Sequence, residues 1–432
     1  MLSISRQISG FIVLAIGLHR VAFCQTQPSS LDQSVQKALE GIPPELLPYV
    51  SVGKGTSRAP IQIQDAMDAA IRLAAEVDGD DDLRDRLLHE CAMTALARGS
   101  AATAEQVAGM IRSHRAALLL VSVADHLLMN SIPDVDRAHE LTIKAGAMLP
   151  LLKPLQAQRV LARLLVTGRF VGVSEATLAV WWDRLKDKEA RAEVAVRLLA
   201  RQAEEKGDFD RSLFLQETAR LGLEQPVTGY LDAAEDLLGQ VERRAKAKHD
   251  PQPLLAAAFE VLSASHTLHT ELLVRWAARF YRVGHEDLAR TLFEKAEKNL
   301  GAPHEQIARL YYHIAYLWKL RGRATVLQPR LEQVERQVSS FEQVYQPFAC
   351  AWLSAAWEAD GDEQRSAELM ARAVRAASTN ENPRMRIAGA AQICLCRAAV
   401  GGSLAPEAAA LAAELIGTTV DVPQSSAKPS HD

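Results

Sequence analysis

From residue 62 onward the apolar residues recur with a period near 3.6, which predicts an almost unbroken series of amphipathic α-helices. The series is interrupted at Gly99, Pro133, 168–172, Gly207, 249–253, Gly284, Gly322, Gly361 and 401–402. Gly207, Gly284 and Gly361 stand 77 residues apart, with one further break between each pair. The mean helix pair therefore takes about 38 residues, a length found in helical solenoids. The stretch 273–303 states the unit most clearly. Leu273, Trp276, Ala277 and Phe280 share one helical face at i, i+3, i+4 and i+7. Gly284 can adopt the positive φ that ends this helix and turns the chain. Ala289, Phe293 and Ala296 then share a face of the next helix, which stops before Gly301 and Pro303.

Other units keep part of this pattern. A small residue stands seven positions before the glycine at Ala92, Ala200, Ala277, Ala315 and Ser354. Small beside large lets two helices approach closely, with ridges seated in grooves. The second helices at Ala138, Thr142 and Ala145, and at Ser366, Met370 and Ala373, repeat the small-x3-large-x2-small spacing loosely. After Gly322 the same slots hold Leu327, Leu331 and Val334, which are only apolar.

At 273–303 the residues resemble the tetratricopeptide repeat, whose helix pair reads large-x2-large-small-x2-aromatic, Gly, then Ala-x3-Phe-x2-Ala and a late Pro. The resemblance implies an all-α fold, a right-handed α-α superhelix of about nine antiparallel helix pairs over 61–416. Each unit buries its apolar face against its neighbours because none can do so alone. In that family the first helices line a concave surface. Transferring that geometry exposes Arg159, Arg163, Arg197, Arg201, Tyr281, Arg282, Arg309, Tyr312, Tyr316 and Lys319. Arginines at i and i+4 on successive helices would form a basic, partly aromatic groove for an acidic segment or carboxylate terminus of a protein or peptide partner. The plainer alternative makes them solvated helix faces paired with nearby Glu.

The address is read from the N-terminus. Arg6 precedes an apolar run at 8–18, followed by Ala22, Phe23, Cys24 and Gln25, which predicts a signal peptide at 1–24 and export to a periplasm or outside the cell. That run is too short to span a bilayer comfortably. Lipidation of Cys24 would tie the chain to the envelope membrane, but Phe23 stands where a lipoprotein has a small residue. Residues 25–60 form a polar lead in which Pro43, Pro44 and Pro48 forbid a long helix. Residues 417–432, rich in Ser, Pro and Thr, are expected to be a disordered tail. A net charge of −4 over 432 residues makes no electrostatic case for nucleic acid. Cys91, Cys350, Cys394 and Cys396 are too sparse for a disulfide framework; a Cys350–Cys394 bridge is conceivable, with buried thiols the better expectation.

Short motifs add little. Asp81-Asp82-Leu83-Arg84-Asp85 resembles the DDxxD motif of class I terpene synthases, which hold magnesium and diphosphate on it. A second metal motif is absent, and carboxylates at a helix start have their own electrostatic reason. Asp78, Asp80 and Asp82 begin like a calcium loop, yet Leu83 and His89 occupy the positions that need Gly and Glu. His266, His269 and Glu271 lack zinc-ligand spacing, and the phosphate-loop look of 51–56 fails at Gly55. No metal, cofactor or catalytic residue is assigned.

Three function classes remain. The sequence favours an exported helical-repeat scaffold that binds a protein or peptide and has no catalysis of its own. A structural or adaptor module of an envelope complex is the alternative. Less favoured is a glycan-active α/α toroid, which needs aromatic platforms and two facing carboxylates; Trp181-Trp182 is its only aromatic cluster.

Overall fold

Helix boundaries follow the side chains at each end. Carboxylate, amide or hydroxyl oxygens of Asp65, Asp80, Asp134, Ser174, Asp362 and Asn382 accept backbone N–H bonds from the first turn that follows, satisfying donors a helix start leaves open. At the other end, Gly284 (φ 84°) lets the His285 N–H reach the Phe280 carbonyl at 2.9 Å, while its own N–H bonds to Tyr281 at 3.1 Å. This Schellman closure needs a left-handed residue, which glycine supplies without a Cβ penalty. Equivalent pairs of bonds close the helices before Gly99, Gly361 and Gly401. At 248 the same turn is made by Lys248 with φ 60°.

The computed structural model describes residues 65–129, 133–187, 190–191, 194–195, 197–198, 201, 228–263, 269–297, 307–320 and 328–417. The expected signal peptide, the polar lead and all but the first residue of the tail lie outside them, as do Ala200, Gly207 and Gly322. The described residues belong to one compact unit, contain no strand, and form 17 α-helices. These are α1 (Ala66–Ala75), α2 (Asp81–Ala97), α3 (Ala101–Ala108), α4 (Arg115–Leu128), α5 (Val135–Ala147), α6 (Pro154–Phe170), α7 (Glu175–Arg184), α8 (Thr228–Lys246) and α9 (Gln252–Ser263). They continue as α10 (His269–Arg282), α11 (Glu286–Glu297), α12 (Ile307–Leu320), α13 (Gln328–Gln337), α14 (Gln346–Asp360), α15 (Glu363–Ser378), α16 (Pro383–Val400) and α17 (Pro406–Ile416). The fold is all-α and solenoid-like.

Pairing follows the chain. α2 packs on α3, α4 on α5, α6 on α7, α8 on α9, α10 on α11, α14 on α15 and α16 on α17. The first helices also form a row of their own: α2, α4 and α6 touch in sequence, as do α8, α10, α12, α14 and α16. Between the two runs stand the helical residues of 190–201. In α10 and α11 the expected core positions are buried: Leu273, Trp276, Ala277, Phe280, Ala289, Phe293 and Ala296. Burying one such Phe or Leu stabilises by about 1.5–3 kcal/mol. The small residues Ala92, Ala277, Ala315 and Ser354 are all buried, and the Ser354 hydroxyl donates to the Ser366 carbonyl at 2.8 Å.

The row then returns on itself. α16 lies along α1 and touches α2, and α17 also touches α1. Arg98, at the end of α2, donates from Nη1 to the carbonyl of Ala398 in α16. No helix among the described residues is long and apolar enough to cross a membrane.

Candidate binding site

Two polar seams run over the first helices. The buried seam joins four of them. Arg197 donates from Nε to Asp236 Oδ2 at 3.0 Å, and its Nη2 lies 3.6 Å from Asp125 Oδ2. Arg201 Nη2 lies 2.9 Å from Asp125 Oδ1 and 3.1 Å from Asp236 Oδ1. Thr167 of α6 donates to Asp125 of α4 at 2.7 Å, and the Phe170 ring lies 5.5 Å from the Arg201 guanidinium. Burial by itself would raise the Asp236 carboxyl, but Arg197 and Arg201 overcome it and hold it below the ordinary value. Burial likewise opposes the charge on Arg201; Asp125 and Asp236 more than offset it, so its pKa is raised.

This corrects the exposed groove expected at these two positions. Arg197 is 3% and Arg201 is 9% exposed, so neither guanidinium faces solvent. The i, i+4 arginine pair looks like a solvated face locally, yet counter-charges on α4 and α8 draw it inside. Tyr312 is a second correction: it is buried against Tyr316, 6.0 Å between ring centroids, and Trp352, 5.4 Å.

The second seam is half-buried and brings together three perturbed groups, His89, Glu90 and His114, and such perturbation is a common mark of functional sites. His89 and Glu90 on α2 lie within electrostatic reach of Arg115 at the start of α4, His89 also of His114 and of Arg163 on α6, and His114 of Arg159 on α6. Arg309 of α12 lies within electrostatic reach of Glu90, although α14 and α16 stand between α12 and α2 in the row. First-helix faces from separate parts of the row therefore converge here. Burial and the charges of Arg115 and Arg163 lower His89 to about 4. Burial raises the Glu90 carboxyl above its ordinary value, against the pull of Arg309, Arg86 and Arg115. His114 is lowered by burial and by Arg115 and Arg159, with Asp82 and Asp85 opposing.

Of the residues expected from sequence, Arg159 (exposed), Arg163 and Arg309 (both half-buried) reach this cluster, and Arg163 donates from Nη1 to Ser122 at 3.2 Å. Tyr281 and Tyr316 are half-buried against the core, and Lys319 is exposed on α12. The Arg282 side chain lies outside the described residues. His89, Glu90, His114 and Arg115 were not singled out from sequence. Their signal was a polar stripe, Arg86 with His89 and Glu90 one turn on, between the apolar positions of α2.

The acidic motif has other work. Asp80 caps α2 through the Leu83 N–H at 2.9 Å. Asp81 pairs with Arg84 at 3.0 Å and Asp82 with Arg115 at 3.4 Å. Buried Asp85 accepts from Arg84 and from the backbone N–H groups of Arg112 and Ser113, pinning the loop into α4. Among the described residues no group of three or more His, Cys, Asp or Glu is placed to hold a metal ion. His266, and the side chains of His269 and Glu271, lie outside them. Cys91, Cys350, Cys394 and Cys396 are free and buried, so the conceivable Cys350–Cys394 bridge is not formed. Burial pushes Cys350 up to about 11 and Cys394 up to about 12, leaving thiols rather than reactive thiolates. Trp181 is buried while Trp182 is exposed under the guanidinium of Arg191.

Fold and site together describe an all-α array of stacked helix pairs with an arginine-rich cluster on its first helices. No family model, curated protein or solved structure matches the chain.

Proposed function

We propose that the chain is an exported, tetratricopeptide-like scaffold that binds an acidic segment of a protein or peptide partner and performs no catalysis of its own. The observation that carries this reading is the electrostatic coupling of Arg115, Arg159, Arg163 and Arg309, from three first helices, to His89, Glu90 and His114, with burial raising the Glu90 carboxyl above its ordinary value. Guanidinium groups in a half-buried setting bind carboxylates through paired, charge-assisted hydrogen bonds. The exported address rests on the pattern of residues 1–24 alone.

The return of α16 onto α1 and α2 favours one rival, an α/α toroid acting on glycans. That chemistry needs two carboxylates facing one substrate, and in this cluster Asp82 and Asp85 are engaged by arginines, leaving Glu90 as the candidate acid.

The test is capture from envelope extract by the purified chain at low and high salt, read by mass spectrometry and repeated with an Arg159→Glu, Arg163→Glu variant. A partner with an acidic segment, held at low salt and lost in the variant, is expected. Equal capture by both proteins would remove the cluster from the function.

A further inference from the structure

The contact that returns α16 onto α2 has a register that can be read at both ends. At the start, Gly79, two residues before α2, lies against Arg384, the second residue of α16; a Cβ at Gly79 would stand 2.5 Å from Arg384 Nη2. At the finish, Arg98 donates to the Ala398 carbonyl, and a Cβ at Gly401 would stand 3.8 Å from its Nη1 and Nη2. Starts meet and ends meet, so the two helices run parallel. Arg384 follows Gly79 by 305 positions, and Gly401 follows Arg98 by 303.

Between those ends the same offset of 303 pairs Leu88 with Ala391, Cys91 with Cys394 and Ala95 with Ala398. On each helix the three residues fall at i, i+3 and i+7, which is one helical face, and all six are at most 2% exposed. The two cysteines are therefore level with each other in a dry seam. Alanines flanking the pair let the backbones approach, as a disulfide requires, since its Cα atoms stand about 4.4–6.8 Å apart. Burial raises the Cys91 thiol most, and Glu90 and then Cys394 add to it, so the second sulfur is within electrostatic reach of the first. Cys396 lies about 200° further round α16 than Cys394 and points away from this seam. Cys350 belongs to α14.

We infer that Cys91 and Cys394 are a disulfide-forming pair that staples the return of α16 onto α2. In the structure both are free thiols. The oxidant is a small-molecule disulfide. One cysteine thiolate attacks it and releases one small thiol; the other thiolate then attacks the mixed disulfide and releases the second. One sulfur–sulfur bond forms in the protein as one is reduced outside it, and the two protons end on the released thiols. Neither sulfur meets solvent once the seam is shut, so the exchange takes place while α16 and α2 are coming together. The bridge closes a loop of about 300 residues, long enough to restrict the unfolded chain strongly.

In the experiment the full chain, purified in reductant, is held in mixed oxidised and reduced glutathione just below its melting midpoint, where the closure opens and reforms repeatedly. It is then blocked with iodoacetamide and mapped by peptide mass spectrometry. Peptides joined through Cys91 and Cys394 are expected, with melting roughly 5 °C above that of a sample held in reductant. Cys394→Ala should abolish both the joined peptides and the shift, and Cys350→Ala should keep both. The map of the unsubstituted chain decides by itself if a variant does not fold. Recovery of Cys91 and Cys394 as alkylated thiols overturns the pair, as does joining of either one to Cys24, Cys350 or Cys396 instead. Joined peptides with an unchanged melting temperature overturn the staple.

Discussion

The first helices solve one packing problem in two ways. Across α4, α6, 190–201 and α8 the contacts between them run through charge: Asp125, Thr167, Arg197, Arg201 and Asp236, each buried. From α12 to α14 the corresponding contact is aromatic, Tyr312 on Trp352, and rings also pack along the helices themselves, Trp276 on Phe280 within α10 and Phe348 on Trp352 within α14. Apolar surfaces adhere wherever they meet, whereas a buried arginine accepts only a carboxylate in the right place. The charged half therefore fixes register strictly at some cost in desolvation, and the aromatic half contributes adhesion with looser geometric demands.

Breaking the charged seam should have the largest effect. Asp236→Ala removes a buried carboxylate that both Arg197 and Arg201 engage, and a loss of about 3–5 kcal/mol is expected in urea unfolding. A loss below about 1 kcal/mol would show that the seam is solvated and the contrast false. On the aromatic side, Trp276→Ala opens a cavity beside Phe280 and removes the ring beneath the Arg279 guanidinium. The expected loss is about 3 kcal/mol, with partial relaxation of the neighbours; an unchanged midpoint would take Trp276 out of the core. The smallest effect is a dependence on pH. His89 is held near 4 in the folded chain, while an unfolded imidazole titrates near 6.5. A group with a depressed cationic pKa binds more protons when unfolded, so its contribution is complete above pH 6.5 and is lost as pH falls toward 4. Thermal melts should decline across that window by on the order of 2 kcal/mol, and His89→Gln should flatten the decline. A decline that persists unchanged in His89→Gln would assign it to other groups.

The same contrast explains what could be read beforehand. Aromatic and small positions such as Trp276, Ala277 and Phe280 were legible because the helical period and the Gly284 turn are local signals. Arg197 and Arg201 misled because nothing in their own helix announces Asp125 or Asp236, which arrive from helices far away in sequence. Tyr312 misled for a similar reason: Trp352 is supplied by the next first helix. The cluster was half legible. Arg159, Arg163 and Arg309 carry enough basic pattern to be noticed, but His89 and Glu90 become notable only once burial and neighbouring guanidinium groups shift their titration.

The contact of α16 and α17 with α1 and α2 has a consequence for how the protein comes apart. A linear array melts by fraying, because its outermost unit has one neighbour and the least to lose. Here neither the first nor the last described pair is outermost in that sense, since each covers the apolar flank of the other. Peeling one away uncovers two surfaces at once, so the array gives up the graded melting of a string of repeats for a single, concerted transition.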